Sequence, residues 1–191
     1  MLFGLLLAYQ RWADRFAEVT GKLAMWIVIP TVTVGFVNVV LRYIGQATST
    51  RLTTNTIIEL QWYMYSGIFL LGFPYILKHQ INVRVDFWFA HQGARRKALI
   101  DFAGHWIGLI PFALIGIFVS FPQAINSWAR WEQSPDADGL PRGPIKMLLA
   151  IAFLLLLIQA LAEQIKLYAI ITDRGHLVTL EGLHEQPARV E

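Results

Sequence analysis

Hydrophobic and polar positions divide the chain into four long uncharged runs and the polar segments between them. The runs cover residues 23–41, 60–77, 102–129 and 147–162, and apolar residues continue from Leu167 to Ile171. Each is long enough to cross about 30 Å of hydrocarbon, which takes roughly 20 apolar residues in a helix. The shortest reaches if its ends snorkel or the helix extends. Helices satisfy their own backbone hydrogen bonds, as lipid requires. Ahead of the first run, Leu5, Tyr9, Trp12, Phe16 and Val19 recur at steps of three and four, with Arg11, Asp14, Arg15 and Glu18 on the other side. That spacing predicts an amphipathic helix lying in the membrane interface. The expected fold is all-α and integral to a membrane. It has an interfacial helix over residues 1–20, a four-helix transmembrane domain over 21–171 and a polar cytoplasmic tail over 172–191.

Composition agrees with this. The 191 residues are 55% hydrophobic and only 15% charged, against about a quarter charged in an ordinary soluble domain. The mean hydropathy is +0.48. The net charge of +3 sits on residues that flank the apolar runs. It therefore points to orientation against anionic lipid and not to nucleic acid. Placing the N-terminus inside puts 11 of the 16 Lys and Arg residues on the cytoplasmic side and 5 outside, which predicts cytoplasmic termini. Trp26, Trp62, Trp106 and Trp128 fall near span ends, as an aromatic belt does.

The sequence carries little recognisable chemistry. With no cysteine, the chain has no disulfide, thiolate metal site or cysteine nucleophile. There is no phosphate-binding loop. The five histidines include no two on one span, so no haem or zinc site is expected. No ionisable residue falls near the middle of a run, where a pump or channel would place one. Neither a cofactor nor an enzymatic activity is expected. Gly104 and Gly108 form G-x-x-x-G, which permits close helix approach. Pro30, Pro74 and Pro111 lie within spans and are expected to kink them.

Three polar pairs stand out. Arg42 ends the first run and Glu59 opens the second on the same side, so antiparallel neighbours would bring them together; the alternative is two solvated flanks. Arg84 and Asp86 alternate with valines, so an extended stretch puts both on one face, again with a solvated flank as the alternative. Gln159 and Glu163 share a face of the last helix, either reaching the interface or touching a partner subunit.

The series Arg42-Tyr43, Glu59-Leu60-Gln61-Trp62, Phe69-Leu70-Leu71-Gly72-Phe73-Pro74-Tyr75 and Val83-Arg84-Val85-Asp86 resembles the small, DctQ-type membrane subunit of tripartite ATP-independent periplasmic (TRAP) transporters. Order and spacing match over residues 20–165. Asn82 stands where many relatives carry His. The resemblance implies a small permease subunit in a bacterial inner membrane. Its partners would be a large polytopic membrane subunit, which carries an organic acid inward, usually with sodium, and a soluble periplasmic substrate-binding protein. The small subunit would be a scaffold, with Arg42, Glu59, Trp62, Gly72, Pro74, Arg84, Asp86, Gln159 and Glu163 as structural or partner-contact residues. The stretch from Trp131 to Pro141 looks like members linked to 2-oxo or related acids. The rival is a membrane anchor of a cytochrome-type redox complex, which would need paired intramembrane histidines.

Overall fold

The computed structural model describes residues 2–81 and 91–172. Among them it has five α-helices, one π-helical turn and no strand. The first helix, α1 (Leu2–Ala47), runs 46 residues without a break. At 1.5 Å per residue it is about 69 Å long, twice the hydrocarbon thickness. The amphipathic segment and the first apolar run are therefore continuous parts of one helix, and Lys22 lies inside it. Helix α2 (Asn55–Lys78) returns beside α1. Helix α3 (Ala94–Gly104) passes through a π turn (His105–Leu109) into α4 (Ile110–Ala129). Helix α5 (Gly143–Ile171) closes the bundle.

Pro111 accounts for the π turn. A proline has no N–H to give, and its ring crowds the carbonyl four residues back. Here the Ile110 N–H reaches His105 O, five residues back, and the widened turn absorbs the misfit.

Helix α5 is the centre of the packing, and every other described helix touches it. Leu156 and Ala160 on α5 meet Leu77 of α2 and Ile110 and Ala113 of α4, with Phe73, Leu109, Phe153 and Leu157 around them. Close approach comes from small residues. A Cβ on Gly116 would lie 2.4 Å from the Phe153 ring, and one on Gly21 would lie 2.3 Å from that of Tyr75. Without a driving force to bury oil inside oil, such contacts carry helix association. Gly104 and Gly108 do not take part: nothing lies within 4 Å of a Cβ built on either. Among the described residues the G-x-x-x-G motif meets no other helix.

The outer surface is apolar. Ile107 and Phe118 are 80% and 79% exposed, and Trp26, Val32 and Phe36 are exposed along α1. Among the described residues three helices are long and apolar enough to cross a membrane: Phe3–Ala47, Arg95–Ala129 and Gly143–Ile171. Helix α2 is not among them; Glu59, Gln61, Ser66 and four aromatic residues with polar tips, Trp62, Tyr63, Tyr65 and Tyr75, lower its hydropathy.

The first half of α1 turns its polar side inward. Gln10, Ala13, Asp14, Ala17, Thr20 and Ala24 are buried, while Leu5, Trp12, Phe16 and Val19 are exposed. Arg11 and Arg15 also stay exposed. The buried stripe consists of small and polar residues, and the apolar side chains face outward.

Candidate functional site: polar clamps at the two ends of the bundle

One clamp sits where α2 begins. Glu59 is on the second turn of α2 and is 2% exposed. The Ser134 hydroxyl donates to its Oε1, and the Leu140 amide donates to its Oε2. Arg142 Nη2 stands 3.8 Å from Oε1. The Arg142 guanidinium also lies 5.7 Å from the Trp62 ring centroid, at cation–π range. Around this centre the Asn55 amide donates to Ala137 O at 2.9 Å, the Tyr63 hydroxyl to Pro141 O at 2.9 Å and the Thr56 hydroxyl to Asp138 O. Residues 130–142 are thereby stitched over the N-terminal turns of α2.

The sequence permits this wrap at particular positions. Trp131 and Asp138 take positive φ, 48° and 59°. A Cβ on Gly139 would fall 2.4 Å from Ser134 Cβ and 2.9 Å from Glu59 Oε2, so only glycine lets the loop lie on the carboxylate. Lys146 binds Glu132, and the Arg142 amide donates to Glu132 O at 2.8 Å, which fixes the entry to α5. The Ser134 hydroxyl holds the Glu59 carboxyl below its ordinary range; burial opposes this, and the Leu140 amide and Arg142 add to it. Lys146 does the same for Glu132.

The expected Arg42–Glu59 pair does not form. Among the described residues the ion-pair partner of Glu59 is Arg142. Arg42 is exposed more than one turn before the end of α1. It lines a cleft with Asn38, Arg51, Thr53 and Thr54. Adjacency of the two helix ends in sequence had suggested the pair, but a loop from much later in the chain takes the carboxylate first.

The other clamp sits at the opposite end of α2 and α5. Lys166 Nζ donates to Asp14 Oδ1 and Glu163 Oε1, both at 2.8 Å. Gln159 Nε2 lies 3.0 Å from the same two oxygens. Gln10 Nε2 donates to Asp14 Oδ2 at 2.8 Å, and the Tyr9 hydroxyl to Ile158 O at 2.9 Å. All five members of the cluster, Gln10, Asp14, Gln159, Glu163 and Lys166, are buried. Beside it, Glu18 Oε1 meets Lys78 Nζ and His79 Nε2, each at 2.7 Å.

Gln159 and Glu163 are both 1% exposed, and the cluster with Asp14 and Lys166 occupies them within their own chain. Trp62 packs on Tyr63 with centroids 4.3 Å apart. Pro74 is fully buried, and the nearest atom to a Cβ on Gly72 is Ile76 Cδ1 at 3.8 Å. Arg84, Asp86 and Asn82 lie outside the described residues. Sequence reasoning missed Asp14, Lys166, Ser134 and Arg142. The steps Gln10 to Asp14 and Gln159 to Glu163 to Lys166 place each set on one helix face, a signal available without coordinates. Nothing comparable marks Ser134, which acts through a loop.

The arrangement ties helices together at both ends of the bundle. No group of three or more His, Asp or Glu suited to a metal ion occurs among the described residues. No curated protein and no solved structure matches the chain. A family model does: that of the DctQ component of tripartite ATP-independent periplasmic transporters, over residues 31–169. The matched stretch contains the Glu59 clamp entire and the α5 half of the other, and on it the chain belongs to the DctQ family of TRAP transporter small permease subunits.

Proposed function

We propose that this chain is the fixed membrane scaffold for the large transport subunit of a secondary transporter that takes up an organic acid on an ion gradient. The observation that carries the reading is the placement of charge. Ionisable side chains gather in clamps at the bundle ends, and the apolar runs between them contain none near their middles. A group that moves an ion or solute through lipid needs polar partners at depth. A body clamped at both ends and apolar outside suits a rigid support.

In this reading α2 is the fourth span, enclosed by α1 and α5 on one side and the large subunit on another. The first turns of α1 run along the cytoplasmic interface, and both termini are cytoplasmic in a bacterial inner membrane. The bias of basic residues supports that orientation. The partners are the large polytopic subunit and a periplasmic substrate-binding protein. Arg42, exposed at the outer end, is available to them; Arg84 and Asp86 remain candidates for such contact.

The test is reconstitution. The chain alone in proteoliposomes with a sodium gradient gives no solute uptake, and it co-purifies in mild detergent with a much larger polytopic protein needed for uptake. Flux through the chain alone would overturn the scaffold role.

A further inference from the structure

The cluster that joins α1 to α5 has an unbalanced count of charges and of hydrogen-bond donors. It contains two carboxylates, Asp14 and Glu163, and one ammonium, Lys166. One ammonium and one amide bridge the same two oxygens, Asp14 Oδ1 and Glu163 Oε1, at 2.8–3.0 Å. With both acids ionised the cluster carries a net negative charge among residues 1–7% exposed. An uncompensated buried charge is costly, and such groups neutralise instead. A second imbalance points the same way. Gln159 Oε1 is buried and has no hydrogen-bond partner among the described residues, although the Nε2 of the same amide is fully engaged. The cluster has an acceptor to spare and lacks a donor.

Among the described residues the surrounding charges do not correct this. On α1, Arg11 and Arg15 are exposed, and Glu18 is tied to Lys78 and His79 of α2. On α3, which also packs against α5, Arg95 and Arg96 are exposed, and Lys97 and Asp101 would contribute opposite charges.

We propose that the Asp14–Glu163 pair is a proton site, holding one exchangeable proton at neutral pH that locks the first half of α1 against α5. Uptake forms one O–H bond on a carboxyl oxygen at the expense of a hydronium ion, and no electrons move. The new O–H is the missing donor, and the Gln159 amide, turned or paired side-on with the acid, offers the acceptor. The cluster becomes neutral. The proton belongs to the coupled pair and not to either acid alone. As pH rises and the proton leaves, two carboxylates are left on one ammonium, and α1 loosens from α5.

The experiment is infrared spectroscopy of the full chain in lipid nanodiscs, with carboxyl-labelled Glu and Asp, from about pH 5 to about pH 10, a range wide enough for a strongly shifted buried acid. The wild type shows a protonated-carboxyl band at about pH 7 that moves on labelling and disappears at higher pH. Glu163→Gln or Asp14→Asn removes the band, because the remaining acid then balances Lys166. Lys166→Met retains it. Glu163→Gln also keeps its thermal midpoint on the alkaline side, where that of the wild type falls. Absence of the band in folded wild type at about pH 7 overturns the proposal, and so does a band that survives in both acid variants. If a variant does not fold, the labelled wild-type spectrum decides alone.

Discussion

Arg142 Nη2 stands 3.8 Å from Glu59 Oε1, with its guanidinium against Trp62. The contact closes the loop between α4 and α5 over the start of α2, and it assigns Glu59 a partner that the order of the helices did not suggest. Glu59→Ala strips the Ser134 hydroxyl and the Leu140 amide of their acceptor together. A double-mutant cycle on thermal stability is expected to show coupling between Glu59 and Arg142, and simple addition of the losses for Glu59 and Arg42. Coupling to Arg42 would contradict the geometry.

The same carboxylate sets an acid limit. Its hydrogen bonds hold the folded-state pKa below the ordinary value of 4.5. The clamp's contribution is therefore complete above that value and is lost as pH falls through the lower folded value. Wild type is expected to lose midpoint on acidification below about pH 4.5, and Glu59→Gln to lose less over the same range. Parallel pH profiles would refute the assignment.

At the other end, Lys166 is the sole cation bonded to Asp14 and Glu163 among the described residues. Lys166→Ala leaves buried acids without it. Breaking a buried pair by removing one partner costs about 3–5 kcal/mol. The loss is read from unfolding in mixed micelles, together with faster proteolysis within the first 20 residues. A loss under about 1 kcal/mol, the value of an exposed pair, would mean that the cluster is wet.

Glycine substitutions separate contacts within the chain from open surface. Gly116→Ala drives a methyl into Phe153, and overpacking of this kind costs about 1–3 kcal/mol. Gly104→Ala and Gly108→Ala meet nothing, so the isolated chain keeps its stability. If these two weaken co-purification with the large subunit, their face is a partner contact. A neutral Gly116→Ala would contradict the packing of α4 on α5 at Phe153.

The all-helical class was legible because uncharged runs of this length have few other uses, but the charges at the ends of 147–162 did not mark the helix ends: α5 runs from Gly143 to Ile171, with Lys146 and Glu163 inside it. The faces were harder to assign. In the first 20 residues the 3.6 period was visible, but it does not say which side faces protein. In lipid the apolar stripe can be the outer one, and Ala13, Asp14 and Ala17 went inward. The Arg42–Glu59 expectation failed for a related reason: neighbouring helix ends are easy to read, whereas the reach of a loop such as 130–142 depends on Gly139 and on two positive φ values. G-x-x-x-G was visible, but its partner was not, since the motif states only that something can approach.

The orientation can be tested against the continuity of α1. If residues 23–41 cross the membrane, about 32 Å of helix precedes them at 1.5 Å per residue. That segment carries Arg11, Arg15 and Lys22, and it binds the end of α5 at Asp14 and Lys166. It must therefore lie on the side where α5 ends and α2 has just finished, with Lys78 on Glu18. Thr54 and Gly139 stand together at the opposite end, through the Asn55 and Thr56 contacts to residues 137 and 138. Cysteines introduced at Thr54 and Gly139 are expected to react with a membrane-impermeant thiol reagent added from the periplasm. Cysteines at Arg11 and Gly93 are expected to react only after permeabilisation. Gly139→Cys also perturbs the loop, because its Cβ meets Ser134, so Asp136→Cys serves as the control on the same loop. Labelling of position 54 and position 11 from the same side would break the helix arrangement as well as the topology, because one continuous helix and its antiparallel neighbour place them at opposite ends.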